Sequence, residues 1–368
     1  MIIQGMMFML KHNMPKVCIA GPFPPPFAGM EVQADMLVKK LTEDGVSVYP
    51  VPTNPQNLGR FKFILKIRFV RSIIQSVILI IALFRAIRHV DVIHILANSY
   101  LSFFLRACPS ILIGRLYNKK IIVNYRGGAA EEFFRKWGFL AKPFLMLADA
   151  ITVPSGFLQD VFWKFGVKTK IVPNISDLHQ FKYKKRAKVS PRLLVTRNLE
   201  EIYNNKCVIR AFEIVKRHFP QAQLVIVGSG SEEQLLKNMV KELQLSDVIF
   251  TGKVNHDNIH QLYNDSDIML NASNIDNMPI SILEAFASGL PVVSTVAGGI
   301  PYLVKNGETG LLVPLDDHQQ LAEKVIELIN NNTLANTISE NARKEAEKFS
   351  WDSVRRELFK VYGISEDI

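Results

Sequence analysis

The chain has 368 residues, of which 48% are hydrophobic and 21% charged, so it is long enough for two domains and excludes a disordered or low-complexity protein. Its three cysteines, Cys18, Cys108 and Cys207, are too few and too far apart for a disulfide framework or a metal-ligand spacing, and they favour a reducing cytoplasm. A net charge of +10 indicates an anionic partner.

Strand-like and helix-like segments alternate in both halves of the chain. In the first half, short segments rich in β-branched residues occupy 16–21, 46–51, 90–96, 120–127, 150–155 and 170–174. Stretches of helical length occupy 29–43, 61–88, 99–117 and 130–146. The second half repeats the strand signal at 192–197, 223–229, 248–254, 267–273, 291–296 and 310–314. The alternation predicts an α/β fold with one doubly wound parallel sheet in each half.

A basic, polar stretch at 179–192 separates the two halves and is interpreted as a linker. It divides the chain into a Rossmann-like domain over 1–178 and a second over 179–348. Ligands of doubly wound sheets bind outside the carboxyl ends of the strands, at the point where the strand order reverses. The first residues contain no signal-peptide cleavage pattern.

Positive charge is concentrated in the first half. Between Asp44 and Glu131 the only acidic residue is Asp91, whereas the same interval holds Arg60, Lys62, Lys66, Arg68, Arg71, Arg85, Arg88, Arg106, Arg115, Lys119 and Lys120. No nucleic-acid-binding motif accompanies these cations, so an anionic membrane surface is the favoured partner and nucleic acid is not. We expect the first five cations to lie nearest the lipid head groups.

The uncharged run 72–84 is flanked by Arg71 and Arg85. It is shorter than the roughly 20 residues that a spanning helix needs. Two interpretations stay open: a helix that faces a membrane, or a buried helix of the first domain.

The segment 276–304 carries the strongest chemical signal. Asp276 and Glu284 stand on either side of a predicted helix start, with Pro279 at its first position and Gly289 at its end. Free backbone N–H groups there, including those of Met278, Ile280 and Ser281, suit an anion such as a diphosphate. The two carboxylates suit sugar hydroxyls. The segment therefore predicts a nucleotide-sugar site.

This segment resembles the donor-site signature of the retaining family 4 glycosyltransferases, which have the GT-B architecture. That signature has two glutamates separated by seven residues, then an Ala-rich helix, Gly-Leu-Pro-Val-Val and a Gly-Gly turn. Glu284 matches the second glutamate, whereas Asp276 replaces the first. The resemblance implies two Rossmann-like domains that face each other across a cleft, with acceptor binding in the first domain and donor binding in the second. It also implies that the tail, 349–368, packs back on the first domain.

The resemblance also implies roles for single residues. Asp276, Glu284, Arg197 and Lys206 would act in catalysis, the last two by neutralising the diphosphate. In this chain Thr196 and Cys207 replace the glycines that normally accompany Arg197 and Lys206. The implied substrate-binding residues are Gly29, Arg126, Gly228, Val254, Asn277, Met278, Pro279, Ile280 and Ser281.

Arg126 departs from the family, because many relatives have a histidine at this position. Arginine stays protonated and cannot act as a general base, but it can bind phosphate or an acidic sugar. A structural role at the end of a strand is the alternative.

The resemblance implies a retaining transferase that moves a sugar from a nucleotide diphosphate to a lipid-linked or glycan acceptor, with front-face attack and no covalent intermediate. Surface polysaccharide or lipopolysaccharide biosynthesis on the inner face of the cytoplasmic membrane is the implied context. No cofactor is expected beyond the donor substrate, and no metal, because no DxD motif is found. The alternatives are a GT-B epimerase or phosphorylase, and a non-catalytic donor-binding or membrane-associated relative.

Overall fold

The computed structural model describes residues 14–25, 29–55, 68–176 and 178–364. The chain divides into two compact units, which are Met1–Ile175 together with Val354–Ile368, and Ser176–Ser353. Each unit is built around one six-stranded sheet in which all neighbouring strands are parallel.

The first unit alternates strands with helices, as the sequence predicts. Strands β1–β6 are Val17–Gly21, Val48–Pro52, Val92–Ala97, Lys120–Tyr125, Ala150–Val153 and Lys170–Ile171. Helices α1–α5 are Gly29–Glu43, Arg68–Ala86, Cys108–Leu116, Ala130–Leu145 and Gly156–Lys164. The predicted helix 99–117 is three consecutive pieces, because a short turn, Tyr100–Ser102, and a π-helical segment, Phe103–Ala107, precede α3. Of the predicted helix 61–88, residues 61–67 lie outside the described part of the chain.

The sheet of the first unit has the order β2-β1-β3-β4-β5-β6, so the order reverses between β1 and β3. The central strands are largely apolar, and all six residues of β3 are buried. Strands covered on both faces need such continuous apolar runs. Helix α1 begins at Gly29, on the connection that leaves β1 at the reversal point.

The second unit repeats this scheme. Strands β7–β12 are Arg192–Thr196, Gln223–Val227, Val248–Gly252, Ile268–Asn271, Val292–Thr295 and Leu311–Val313. Helices α6–α12 are Asn205–His218, Glu233–Glu242, His256–Asp265, Ile280–Ser288, Ile300–Leu303, His318–Asn330 and Asn332–Ala346. Short 3₁₀ segments in the chain are Ile87–His89, Leu178–Gln180, Glu201–Tyr203 and Glu347–Phe349.

The order of the second sheet is β12-β11-β10-β7-β8-β9, with the reversal between β7 and β10. There Leu193 and Leu194 of β7 pair with Ile268 and Met269 of β10. This is the order of dinucleotide-binding Rossmann sheets, whose ligands bind beyond the carboxyl ends of the two strands at the reversal. The loops that follow Thr196 and Asn271 are therefore the expected position of a ligand.

The stretch 179–192 is not a linker, contrary to the interpretation of the sequence. Its central residue, Arg186, is 5% exposed and belongs to the second unit. The guanidinium donates to Asp267 Oδ1 at 3.0 Å, to the Ser266 carbonyl at 2.7 Å and to the Gly289 carbonyl at 2.9 Å. The basic composition of this stretch suggests exposure to solvent. However, a single guanidinium has five N–H donors and can satisfy several buried acceptors at once. These bonds fasten the segment to the fold.

The last helix, α13 (Trp351–Tyr362), ends within the first unit. The Tyr362 hydroxyl lies 3.0 Å from Nδ1 of His94, which is buried in β3. Burial and the nearby positive charge of Arg126 lower the pKa of His94 to about 3, so this histidine is neutral at physiological pH.

Candidate functional site

Two loops meet at the reversal point of the second sheet. Arg197 follows β7, and Asp276 lies in the loop that follows β10. Their side chains form an ion pair and are 13% and 12% exposed. The Arg197 guanidinium also lies 4.2 Å from the centre of the Tyr203 ring, and Asp276 Oδ1 accepts from the Asn277 amide at 2.9 Å. The structure thus brings together a cation and a carboxylate that the sequence assigned to separate parts of a ligand.

Lys206 has a different carboxylate partner. It lies in the first turn of α6 and forms an ion pair of 2.5 Å with Glu232, the residue before α7. The Lys206 side chain is 39% exposed, whereas the Glu232 side chain is 12% exposed. The sequence did not single out Glu232, although it follows Gly228, a predicted substrate-binding residue, in the connection between β8 and α7.

Helix α9 begins with Ile280, and Pro279 is its N-cap with an extended backbone, φ −69° and ψ 117°. The prediction that Pro279 is the first helical residue is therefore wrong by one position. A proline side chain cannot accept a hydrogen bond, so the cap residue itself satisfies none of the amides of the first turn. The buried Ser281 hydroxyl has no hydrogen-bond partner within the described residues. As predicted, the helix ends at Gly289, at φ 73°.

Glu284 is positioned by a buried tyrosine. It is 5% exposed, and its Oε2 lies 2.7 Å from the hydroxyl of Tyr263, a fully buried residue in the last turn of α8. The same hydroxyl lies 2.8 Å from Thr196 Oγ1, at the end of β7. Burial, followed by the negative charge of Glu284, raises the pKa of Tyr263 well above its ordinary value. The phenol therefore stays protonated and donates to Glu284.

Sequence reasoning missed Tyr263, because nothing local distinguishes it from an ordinary core tyrosine. Thr196 was noted only as a replacement for the usual glycine. The structure gives that threonine a contact that glycine cannot make.

Two glycines permit close backbone approach at the site. Gly299 donates its N–H to the Asp276 carbonyl at 2.8 Å, and a Cβ at position 299 would lie 1.9 Å from the Asn277 carbonyl oxygen. Gly228 has φ 141°, and a Cβ there would lie 2.2 Å from the Arg197 carbonyl oxygen. Only glycine fits at either position without a shift of the backbone. The turns after β8 and β11 therefore fix the positions of Arg197 and Asp276.

Two apolar residues that were predicted to bind substrate pack into or against the core of the second unit. Met278 is buried in the second unit's core, and Val254 packs against the same cluster. Strand β9 ends at Gly252, so Val254 lies in the loop beyond the strand that was expected to carry it.

Gly29 and Arg126 belong to the first unit. Gly29 is exposed, and a Cβ there would meet no atom of the described residues within 4 Å. Arg126 donates to Asn174 Oδ1 at 2.5 Å and to Asn124 Oδ1 at 2.6 Å. Burial lowers the pKa of Arg126 to about 10, so it remains a cation at neutral pH. Its two asparagine contacts make it a structural group at the end of β4, whatever else it binds.

Residues 178–345 match the family model of glycosyl transferases group 1. The resemblance drawn from 276–304 is thereby confirmed. The first unit lies outside the matched range.

Two curated proteins are similar to part of the chain. It is 30% identical to N-acetyl-alpha-D-glucosaminyl L-malate synthase of Bacillus anthracis over 50% of this chain and 49% of the relative. It is 36% identical to the putative colanic acid biosynthesis glycosyltransferase WcaL of Salmonella typhimurium over 36% of this chain and 35% of that one. The chain thus spans half or less of the length of these curated relatives.

The structure resembles Anabaena HepE, solved in complex with UDP-glucose, with a TM-score of 0.72 and 19% identity over 95% of this chain and 99% of HepE. At this level of identity the likeness concerns the fold. The predicted fold class, two doubly wound Rossmann-like domains of the GT-B type, is confirmed.

The contact between Gly299 and Asn277 leads to a stability prediction. Gly299→Ala forces the backbone at Asn277 to move, so it should cost about 1–3 kcal/mol and lower the unfolding midpoint by about 2–4 °C per kcal/mol. The matched control is Gly29→Ala, whose Cβ meets no atom in the part of the chain that the structure describes and which should melt close to wild type. Thermal unfolding followed by circular dichroism makes the comparison. If the two variants melted alike, the close approach at Gly299 would not constrain the site.

Proposed function

We propose that this chain is a retaining glycosyltransferase that moves a sugar from a nucleotide-diphosphate sugar to a lipid-linked or glycan acceptor, in cell-surface polysaccharide or lipopolysaccharide biosynthesis at the inner face of the cytoplasmic membrane. One observation carries the proposal. The Arg197–Asp276 pair, the start of α9 and buried Glu284 converge beyond the strands at the reversal point of the second sheet. The names of WcaL and of the HepE complex with UDP-glucose support the same class of reaction.

The diphosphate of the donor is assigned to the start of α9. Backbone N–H groups and about half a positive charge are concentrated at a helix N-terminus, and both favour an anion. The buried Ser281 hydroxyl and the buried Nε of Arg197 lack partners within the described residues, so each offers an additional hydrogen bond. Asn277, Met278, Pro279 and Ile280 provide the backbone of this site.

Arg197 and Lys206 supply the positive charge. Their present carboxylate partners use only part of their donor capacity, because a guanidinium has five N–H donors and an ammonium has three. Negative charge grows on the diphosphate as the sugar bond breaks, and preorganised cations stabilise that charge. Asp276 then has two tasks, to orient Arg197 and to accept from the transferred sugar.

The proposed reaction retains configuration at the anomeric carbon. The bond from that carbon to the diphosphate oxygen breaks while the acceptor oxygen bonds on the same face. The acceptor proton passes to an oxygen of the leaving diphosphate, so no protein side chain needs to act as a base. Arg126, which stays protonated, is consistent with that route.

The alternative is a non-catalytic relative that binds the donor. Purified protein, a panel of nucleotide sugars and lipid-linked acceptors separate the two. Formation of a glycosylated acceptor with retained configuration, read by nuclear magnetic resonance, is expected. Donor binding without transfer or hydrolysis would favour the alternative.

Glu284→Gln should weaken nucleotide-diphosphate binding about tenfold, because the amide removes one charged acceptor for the ribose hydroxyls. Tyr263→Phe leaves Glu284 in place but removes its donor, and should weaken binding by a smaller factor, about two- to tenfold. Calorimetric titration measures both, with Tyr49→Phe in the first unit as the control.

Asp276→Asn should instead lower turnover, while nucleotide binding stays within a few-fold of wild type. Equal binding and turnover in all of these variants would refute the assignment.

Arg197→Ala and Lys206→Ala should each weaken nucleotide-diphosphate binding tenfold or more. A charge-assisted hydrogen bond is worth about 1.5–3 kcal/mol, and 1.4 kcal/mol corresponds to a factor of ten. Arg217→Ala is the matched control, because Arg217 is 70% exposed and forms a surface ion pair within α6. The corresponding nucleoside without phosphates should bind the two site variants and wild type alike. Loss of nucleoside binding as well would indicate general damage to the fold.

We also propose that transfer needs no divalent metal, because Arg197, Lys206 and the start of α9 supply the charge that a metal would otherwise neutralise. Activity in excess EDTA should equal activity in buffer. Loss of transfer in EDTA, restored by Mg²⁺ or Mn²⁺, would contradict the proposal.

A further inference from the structure

Helix α2 exposes a continuous apolar stripe. Ile73, Val77, Ile81 and Phe84 are 43%, 51%, 47% and 40% exposed. Their spacing of four, four and three residues places them on one side of the helix, over a length of about 16 Å. The opposite side is committed to the core of the first unit, where Leu79 and Leu83 are fully buried.

The distribution of polar residues on α2 is the reverse of that in a helix that faces water. Gln75 and Ser76 are buried, at 5% and 8% exposure, whereas Ile73 and Val77 beside them are exposed. Gln75 accepts from Arg106 at 3.1 Å, and the Ser76 hydroxyl donates to the Ser72 carbonyl at 2.9 Å. A surface helix normally presents its polar residues outward.

Helix α3 extends the exposed stripe. The ring of Phe84 lies 6.1 Å from that of Tyr117, the residue that follows α3. Leu112 and Leu116, one turn apart on α3, are 49% and 72% exposed. We call these six exposed side chains the apolar face, which consists of Ile73, Val77, Ile81, Phe84, Leu112 and Leu116. An exposed apolar cluster of this size marks an interaction site.

Exposed arginines flank the α2 part of the apolar face. Arg71 and Arg85 are exposed at the two ends of the stripe, and Arg88 is exposed one turn beyond. From 71 to 119 the only acidic residue is Asp91, whose Oδ2 accepts from the Lys16 amide at 2.8 Å. Of the cations expected nearest the head groups, Arg60, Lys62 and Lys66 lie outside the described residues. The charge of the rim is complementary to anionic lipid.

By length and composition the segment Arg71–His89 could cross a membrane, and 28% of it is buried. Its inner side, however, is part of the first unit's core. A helix packed on a sheet along one side and apolar along the other is suited to lie in the plane of the membrane interface rather than across the bilayer.

We propose that the apolar face inserts into the interfacial layer of an anionic bilayer, with Arg71, Arg85 and Arg88 at the head groups. This inference rests on the proposed function in one respect, since it would bring the first unit to a lipid-linked acceptor. The occupant is lipid rather than a second copy of the chain, because a basic rim repels its own copy and attracts anionic head groups.

The test is sedimentation with phosphatidylglycerol–phosphatidylcholine vesicles at low and high salt. Replacing Ile73, Val77, Ile81 and Phe84 by Gln should lower vesicle binding at least tenfold, and the difference should persist at high salt. Replacing the three arginines by Gln should lower binding about fivefold per charge at low salt and little at high salt. The matched control replaces four exposed apolar residues of the second unit by Gln and should bind as wild type does: Ile202, Leu235, Ile249 and Leu315.

Several outcomes separate this inference from the proposed function. Vesicle binding that is lost with the apolar face, in a protein that transfers no sugar, supports the inference and refutes the function. Sugar transfer by a wild-type protein that ignores anionic vesicles overturns the inference alone. If light scattering finds a dimer that the four-residue variant dissociates, the face is an interface between copies and the inference is wrong. A circular-dichroism spectrum and an unfolding midpoint equal to those of wild type verify that each variant is folded.

Discussion

The geometry of the candidate donor site depends on the hydrogen bonds that the buried guanidinium of Arg186 donates. It donates to the carbonyls of Ser288 and Gly289 at the end of α9, to the carbonyl of Tyr263 in α8, and to Asp267 just before β10. Carbonyls at helix ends lack partners within their helices and carry partial negative charge, so one cation there satisfies both helices. Burial lowers the pKa of Arg186, and Asp267 opposes that shift. The arginine thereby holds α8 against α9. Because Tyr263 is on α8 and Glu284 is on α9, this packing allows the Tyr263 hydroxyl to donate to Glu284.

The two carboxylates of the site are held by different means, which matches the different tasks proposed for them. Glu284 is on the buried helix α9, with a phenol fixed against it. Asp276 is on a loop, whose backbone is located by the amide of Gly299 and whose side chain is paired with Arg197. A group that only binds is best placed on a rigid element. A group that contacts the reacting sugar must also accommodate changes in the substrate, for which a loop tethered at a few points is suited.

The sequence predicts those features that depend on local chemistry. Each of the twelve predicted strand segments overlaps an observed strand, because β-branched runs between turn residues favour parallel strands. Gly289 ends α9 as expected, since its backbone is left-handed. Contacts that join distant parts of the chain were not predictable. Arg186 lies in a basic, polar stretch that would be expected to be exposed to solvent. Tyr263 and Glu284 are far apart in sequence and come into contact only in the folded chain. The pairing of Arg197 with Asp276 likewise requires the strand order.

The run 72–84 illustrates why one sequence left two interpretations open. A run that is apolar on every side has no periodicity, so its inner face cannot be told from its outer face. The structure distinguishes the two sides of the helix by their burial: Leu79 and Leu83 fill the core, while Val77 and Ile81 face outward. The interpretation as a core helix is therefore confirmed for the inner side, whereas a membrane partner for the outer side stays a prediction. Glutamine or lysine at the outer positions would satisfy the fold equally well, so a requirement outside the fold must account for the apolar residues there.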